Sequence, residues 1–415
     1  MKKYDNYKDS GVEWIGEIPE HWDVKKLKFI SKICNGQDQK AVIDDNGIYP
    51  IYGSGGIFGK ANSFLFDQPS VLLGRKGTID KPQYVVEPFW TVDTSYYTKI
   101  KDGFSTRLFY YLCTTINFEL YKYGSAIPSM TQGHLNEIKF SIPNTLDEQT
   151  AIANYLDHKT TQIDTLIAKK EQFISLLQEE RTAIINQAVT KGLDPKVKMK
   201  DSGIEWLGEI PEHWEVTRLG FLSSKIGDGL HGTPNYVDNS DFKFINGNNI
   251  GNGQISIYEH TKCVSEDEYI FNKKELNQNS ILMSINGTIG NLGFYKGEKV
   301  MLGKSVAYIN IIDSKALNYT YKYLESESCK TYIDNQLSGS TIKNLSLYSI
   351  NKIPIPFPSF DEQKEIVDFI TIKTNEINIL ISKSQQEIEL LKEYKTALIS
   401  EVVTGKVDVR DVILN

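Results

Sequence analysis

Apolar residues recur every three to four positions along two long stretches of the chain, about 147–190 and about 361–404. Neither stretch contains Gly or Pro. Pro143 and Gly192 bracket the first, and Pro358 and Gly405 bracket the second. The pattern predicts two amphipathic helices, each roughly 60 Å long at ~1.5 Å per residue. A free helix of that length would leave its apolar stripe in water, so the two stripes are expected to pair antiparallel. The stripes also correspond residue by residue at an offset of 214: Ile152 with Ile366, Ile163 with Ile377, Ile174 with Ile388.

Between the helical stretches the period shortens. Ser70–Leu73, Gln83–Val86 and Tyr96–Ile100 read as strands separated by Gly, Pro and Asp. So do Phe242–Ile245, Ser280–Ile285 and Val306–Ile312. Asn246-Gly247 after the first of these is a hairpin signal. Phe104–Tyr123 and Tyr319–Leu337 read as helical. The expected fold class is α+β: two mixed α/β domains separated by two long antiparallel helices.

A second repeat reinforces this plan. KDSGVEWIGEIPEHWDVKKLKFI (8–30) returns as KDSGIEWLGEIPEHWEVTRLGFL (200–222), ungapped at an offset of 192. Asp147-Glu148-Gln149 heads the first helix and Asp361-Glu362-Gln363 the second. The chain is thus written twice as opening motif, variable segment and long helix, which implies a pseudo-two-fold relation. The expected boundaries are 1–146 (first variable domain with its opening motif), 147–192 (first helix), 193–358 (second domain) and 359–415 (second helix and tail). Trp14, Trp22, Trp206 and Trp214 of the opening motifs, with the isoleucines of the stripes, are expected to serve as scaffold or partner-docking residues.

Charge changes the picture only locally. The 415 residues hold 46 Lys/Arg and 53 Asp/Glu, a net −7 that argues against coating nucleic acid by bulk charge. The acidity lies on the helices: residues 144–194 carry 5 basic and 8 acidic groups, and 354–410 carry 7 and 10. The variable segments 31–143 (11 against 10) and 223–353 (13 against 13) are nearly neutral. Partners should therefore supply much of any basic DNA surface. No apolar run reaches the ~20 residues of a membrane span. Met1 to Asp9 shows no apolar signal region. A cytoplasmic protein is expected. The four scattered cysteines suggest buried free thiols.

Catalytic signatures fail on inspection. Gly227, Gly229 and Gly232 match GxGxxG, but Thr233-Pro234 follows where a nucleotide fold begins a helix. Gly59-Lys60 and Gly303-Lys304-Ser305 lack the first glycine of a phosphate loop. No Asn/Asp-Pro-Pro-aromatic methyltransferase tetrapeptide occurs. His231, His260 and Cys263 are too loosely grouped for a closed metal site. No catalytic residue, metal or cofactor is assigned.

Loops offer a different chemistry. Gly74-Arg75-Lys76-Gly77-Thr78 places two cations between glycines, and a bidentate arginine can read guanine. Asn246, Asn248 and Asn249 cluster at a turn, and an amide can pair with adenine; ordinary turn asparagines give the same pattern. Asn286 and Thr288 stand where Lys76 and Thr78 stand relative to a strand end. Gly124-Ser125 and Gly339-Ser340 recur late in each segment. The candidate DNA contacts are therefore Lys60, Arg75, Lys76, Thr78, Ser125, His231, Thr233, Asn246, Asn248, Asn249, Asn286, Thr288 and Ser340.

These motifs resemble the DNA-specificity subunit of type I restriction-modification systems over nearly the whole chain. DSGxEWxGEIPEHW, twice, carries the resemblance. So do the DEQ helix heads, the tails Val189-Thr190-Lys191-Gly192-Leu193-Asp194 and Val403-Thr404-Gly405-Lys406-Val407-Asp408, and Gly227-Asp228-Gly229-Leu230-His231-Gly232-Thr233-Pro234. The resemblance implies a non-catalytic reader in which each variable domain recognises half of a bipartite target. It implies that the helices fix the gap between half-sites. It also implies partners: double-stranded DNA, two methylation subunits and two motor-nuclease subunits, which bind S-adenosylmethionine, ATP and Mg. Competing readings are a coiled-coil adaptor that does not read DNA, and a fragment of a fused methyltransferase-nuclease.

Overall fold

The computed structural model describes residues 2–123, 127–339 and 343–413. It divides into two compact units, 1–171 with 385–415, and 172–384. The two boundaries fall inside the long helices, Leu146–Lys191 and Phe360–Val403. Each unit therefore holds one variable segment, the head of one long helix and the tail of the other.

In the first unit the helix segments run antiparallel. Asp164 pairs with Lys395, and six residues further on Lys170 pairs with Glu387. Ile152, Leu156 and Ile163 share one core with Leu398, Ile399, Val402 and Val403. In the second unit, Ile185, Ala188 and Val189 share a core with Ile366 and Ile370, and Arg181 donates to Asn378 Oδ1 at 3.2 Å. Ile377 and Ile388 are buried, and Ile174 is half-buried.

Each variable segment builds the same four-stranded antiparallel sheet. Its order in the first unit is Ser31–Asn35, Ser95–Ile100, Ser70–Gly74, Gln83–Val85. In the second it is Ser223–Asp228, Val306–Ile311, Ser280–Ser284, Leu292–Phe294. The central strands are apolar on both faces because each sheet is covered on both sides. Smaller sheets flank these. Tyr49–Gly53 lies between Gly56–Ala61 and Trp90–Thr91 in the first unit. Lys243–Ile245 pairs in parallel with Val300–Leu302 in the second.

Three local expectations are corrected. Asn246-Gly247 opens a 3-10 turn, Gly247–Asn249, because Asn246 and Asn249 cap it reciprocally. Phe104–Tyr123 yields only the helix Thr106–Thr114 and a short 3-10 turn, Phe118–Leu120. The run Tyr319–Leu337 is two helices, Ser314–Leu324 and Glu327–Gln336, since the Ser326 hydroxyl caps a new N-terminus at Cys329 N.

The repeated motifs hold one another. Trp22–Lys26 pairs with Lys139–Pro143, which leads into the first long helix; Glu215–Arg218 pairs likewise with Pro354–Phe357. Glu148 accepts from Trp22 Nε1 at 3.0 Å, and its other oxygen lies 2.9 Å from His21 Nε2. Glu362 lies 3.0 Å from His213 Nε2. Gln149 Nε2 donates to Pro143 O, and Gln363 Nε2 to Pro358 O, so the DEQ glutamine ties each helix head to the strand before it. The helix tails end on glycines at positive φ, Gly192 and Gly405, which let the chain turn under Trp214 and Trp22. Trp22 and Trp214 are fully buried, while Trp14 is 49% exposed. Trp206 is half-buried against Tyr332. The cysteines are free; burial raises the Cys113 thiol and pushes that of Cys329 up to about 12. Among the described residues no helix is long and apolar enough to cross a membrane.

Candidate nucleic-acid interface

The strand Ser70–Gly74 delivers the loop of Arg75, Lys76 and Thr78. A Cβ on Gly74 would lie 2.2 Å from Thr78 O, so only glycine permits this tight exit. The loop is clamped on both sides: Arg75 N donates to Thr94 O, and Gly77 N donates to Pro128 O. Lys76 bridges to Ser129, which also pairs with Tyr123. Tyr123 and Ser129 are thus brought to the cationic loop. Ser125 and Ser340 themselves lie outside the described residues.

Arg75 is half-buried. Its Nη1 donates to Asp93 O at 3.2 Å and its guanidinium sits 6.0 Å from the Tyr96 ring centroid. Lys76 is exposed and Thr78 half-buried. Lys60 is exposed on the strand Gly56–Ala61.

The second unit repeats the arrangement with other side chains. The strand Ser280–Ser284 delivers Asn286 and Thr288, and Gly287 has φ +75°. Asn286 bridges to Asn344, which also pairs with Ser338. A cleft of about 210 Å³ opens here, lined by Asn286, Asn344, Asp228, His231 and Lys304 among others. Asp228 Oδ2 lies 2.7 Å from His231 Nε2, and the imidazole is largely exposed. Thr233 is exposed beyond it.

The asparagine cluster divides. Asn249 is buried, its Nδ2 donating to Ser256 O and its Oδ1 accepting from Asn246 N. Asn246 Oδ1 accepts from the Ser305 hydroxyl. Asn248 alone of the three is exposed. Lys304 and Asp228 belong to the cleft and were not anticipated. The Gly303-Lys304-Ser305 run and the GDGLHGTP segment were their visible signals. Gly229 fits under Leu302 O, where a Cβ would sit 2.2 Å away; that GxGxxG glycine serves close backbone packing, not a nucleotide. His260 stacks on Tyr258, and Cys263 is buried beside Lys243 Nζ.

The family described as Type I restriction modification DNA specificity domain matches residues 19–175 and 211–390. The chain belongs to that family. A specificity subunit of the type I restriction enzyme MjaVIII of Methanocaldococcus jannaschii is 26% identical, with 95% of each chain covered. The specificity subunit of EcoDI from Escherichia coli is 23% identical over 85% of this chain and 81% of its own. Among solved structures, a chain from work on complex assembly and conformational transition of the type I restriction-modification system shares 12% identity, with a TM-score of 0.71 over 94% of this chain and 99% of its own. The HsdS subunit from Thermoanaerobacter tengcongensis gives 0.51 at 13% identity, covering 94% and 98%. As a member of this family the chain is a DNA-recognition subunit and not itself an enzyme. The adaptor and the fused-enzyme readings are not favoured.

Proposed function

We propose that the two units each read one half of a bipartite DNA sequence in the major groove. The first uses the Arg75–Thr78 loop with its neighbour at 127–130, and the second uses Asn286–Thr288 with His231, Thr233 and Lys304. The observation that supports this most is the recurrence in both units of one loop pair that leaves the same inner strand of the sheet, Lys76 with Ser129 in the first and Asn286 with Asn344 in the second. In this reading 1–146 and 193–358 act as target-recognition domains. The helices 147–192 and 359–415 pair antiparallel about a pseudo-two-fold axis and set the spacer, on the order of one to two turns at ~34 Å each. Two methylation subunits dock on the repeated scaffold, and two motor-nuclease subunits join to cleave unmodified DNA. Those partners bind S-adenosylmethionine, ATP and Mg, and the assembly works in the cytoplasm. The exposed Trp14, in a groove of about 740 Å³ with Tyr7, Glu401 and Lys406, is a candidate docking point.

Methylome sequencing of cells carrying this chain with its methylation partner, against cells lacking the chain, tests the reading. A new bipartite methyladenine motif is expected, and exchange of residues 31–143 should change one half-site only. An assembled complex that leaves no new motif overturns it.

A further inference from the structure

Each unit has a cleft between its long helices and the helix that follows the strand Ser95–Ile100 or Val306–Ile311. The first measures about 600 Å³ and the second about 790 Å³. Positions correspond at the 214-residue offset, but the charges do not. In the first unit each cation has its carboxylate: Arg107 Nε donates to Asp157 at 2.6 Å, and Lys395 to Asp164 at 2.7 Å. In the second unit Thr371 and Asn378 replace those two aspartates. Arg181, which stands where Lys395 stands, keeps only the neutral Asn378 oxygen. Lys296 is exposed at the rim, and among the described residues neither it nor Arg181 makes an ion pair. Lys322 and Lys330 also line the cleft, with Glu325 and Glu327 beside them. The cleft therefore keeps two uncompensated positive charges, inside a concave wall that strengthens their field.

One turn joins this cleft to the base-reading loop. Asn286 lines the small cleft beyond the end of the strand Ser280–Ser284, and Gly290 and Asn291, four and five residues on, line the cationic one. A duplex held by the 286–288 loop would bring its backbone past that turn. We propose that the Arg181–Lys296 cleft takes a phosphate of the DNA backbone beside the half-site read by the second unit. This rests on the DNA-reading function above.

The test is fluorescence anisotropy of the full-length chain with a labelled 40-base-pair mixed-sequence duplex, titrated from about 50 to about 300 mM KCl, where each phosphate contact makes log affinity fall with log salt. The double variant R181Q/K296Q should bind roughly tenfold more weakly at the low-salt end and flatten the log–log salt slope by about 0.9, the value for one lost phosphate contact. Lys395→Gln, whose cation is already neutralised by Asp164, should leave the slope unchanged. An unchanged slope in the double variant overturns the assignment. So does stabilisation of the wild type, but not the double variant, by inorganic phosphate with no change in the DNA slope, which would mark a small-anion site instead. If the wild type, alone and with its methylation partner, binds no duplex, the DNA reading fails and the inference with it.

Discussion

The two units grip the same motif with different completeness. In the first, Glu148 is almost fully buried and serves both Trp22 and His21. In the second, Glu362 is a quarter exposed and meets His213, while among the described residues the buried Trp214 Nε1 has no partner. Gln363 Oε1 is likewise buried with no donor among the described residues, whereas Gln149 Oε1 accepts from Ser105 N. Identical sequence motifs thus do not give identical energetics, because the surroundings decide whether each polar atom is satisfied. The first unit adds a further layer: Tyr4 stacks edge-on to Trp22 beneath the Arg410 guanidinium.

The largest effect that could break this comparison is at the two glutamates. Glu148→Ala leaves a buried indole donor without its acceptor and should lose about 2–3 kcal/mol in urea unfolding. Glu362→Ala should lose less than about 1 kcal/mol, as expected of a partly exposed pair. Equal losses would mean that the asymmetry carries no energy. The helix-ending glycines come next. Both have positive φ, but a Cβ on Gly405 would sit 2.3 Å from Pro19 Cδ, against 3.4 Å from Trp214 for Gly192. Gly405→Ala should cost about 2 kcal/mol or more and Gly192→Ala about 1.

The tails sharpen the contrast further. Asp194 and Asp408 each cap the amide two residues on, yet only Asp408 is buried and forked onto Arg410 at 2.9 Å. The Arg410 guanidinium holds the Asp408 carboxyl below its usual range. A depressed native pKa contributes stability above the unfolded value of ~3.9 and loses it as pH falls through the native one. Asp408→Asn should flatten that acid limb by on the order of 1 kcal/mol, measured by urea unfolding at a series of acid pH values. The smallest effect is at the clefts. Asn378→Asp should give Arg181 the ion pair that Lys395 enjoys and stabilise by about 0.5 kcal/mol, with Asp164→Asn costing as little.

Much of this was legible in the sequence. The 3.6-residue period ran uninterrupted for over forty residues twice, so the long helices were found nearly to the residue. Apolar runs such as Val306–Ile311 announced central strands. The break at Ser326 was not legible, because a serine cap and an ordinary helical serine look alike without the fold. Nor was the role of Asn249, whose amide is fixed by Ser256, seven residues away. The loop pairing Lys76–Ser129 and Asn286–Asn344 joins segments more than fifty residues apart, which no local pattern encodes. The Gly-Ser pairs that recur late in each segment were its trace in the sequence.

That each compact unit contains the tail of the other repeat's helix has a consequence for inheritance. A recombination that exchanged everything beyond residue 192 would import a new second reader together with part of the first unit's wall, including Lys395, Val402 and Val403. New readers can be shuffled into such a gene only if the helices they arrive with still fit the partners left behind. The apolar positions that the two helices share at the 214-residue offset are the part of the scaffold that such an exchange would leave matched.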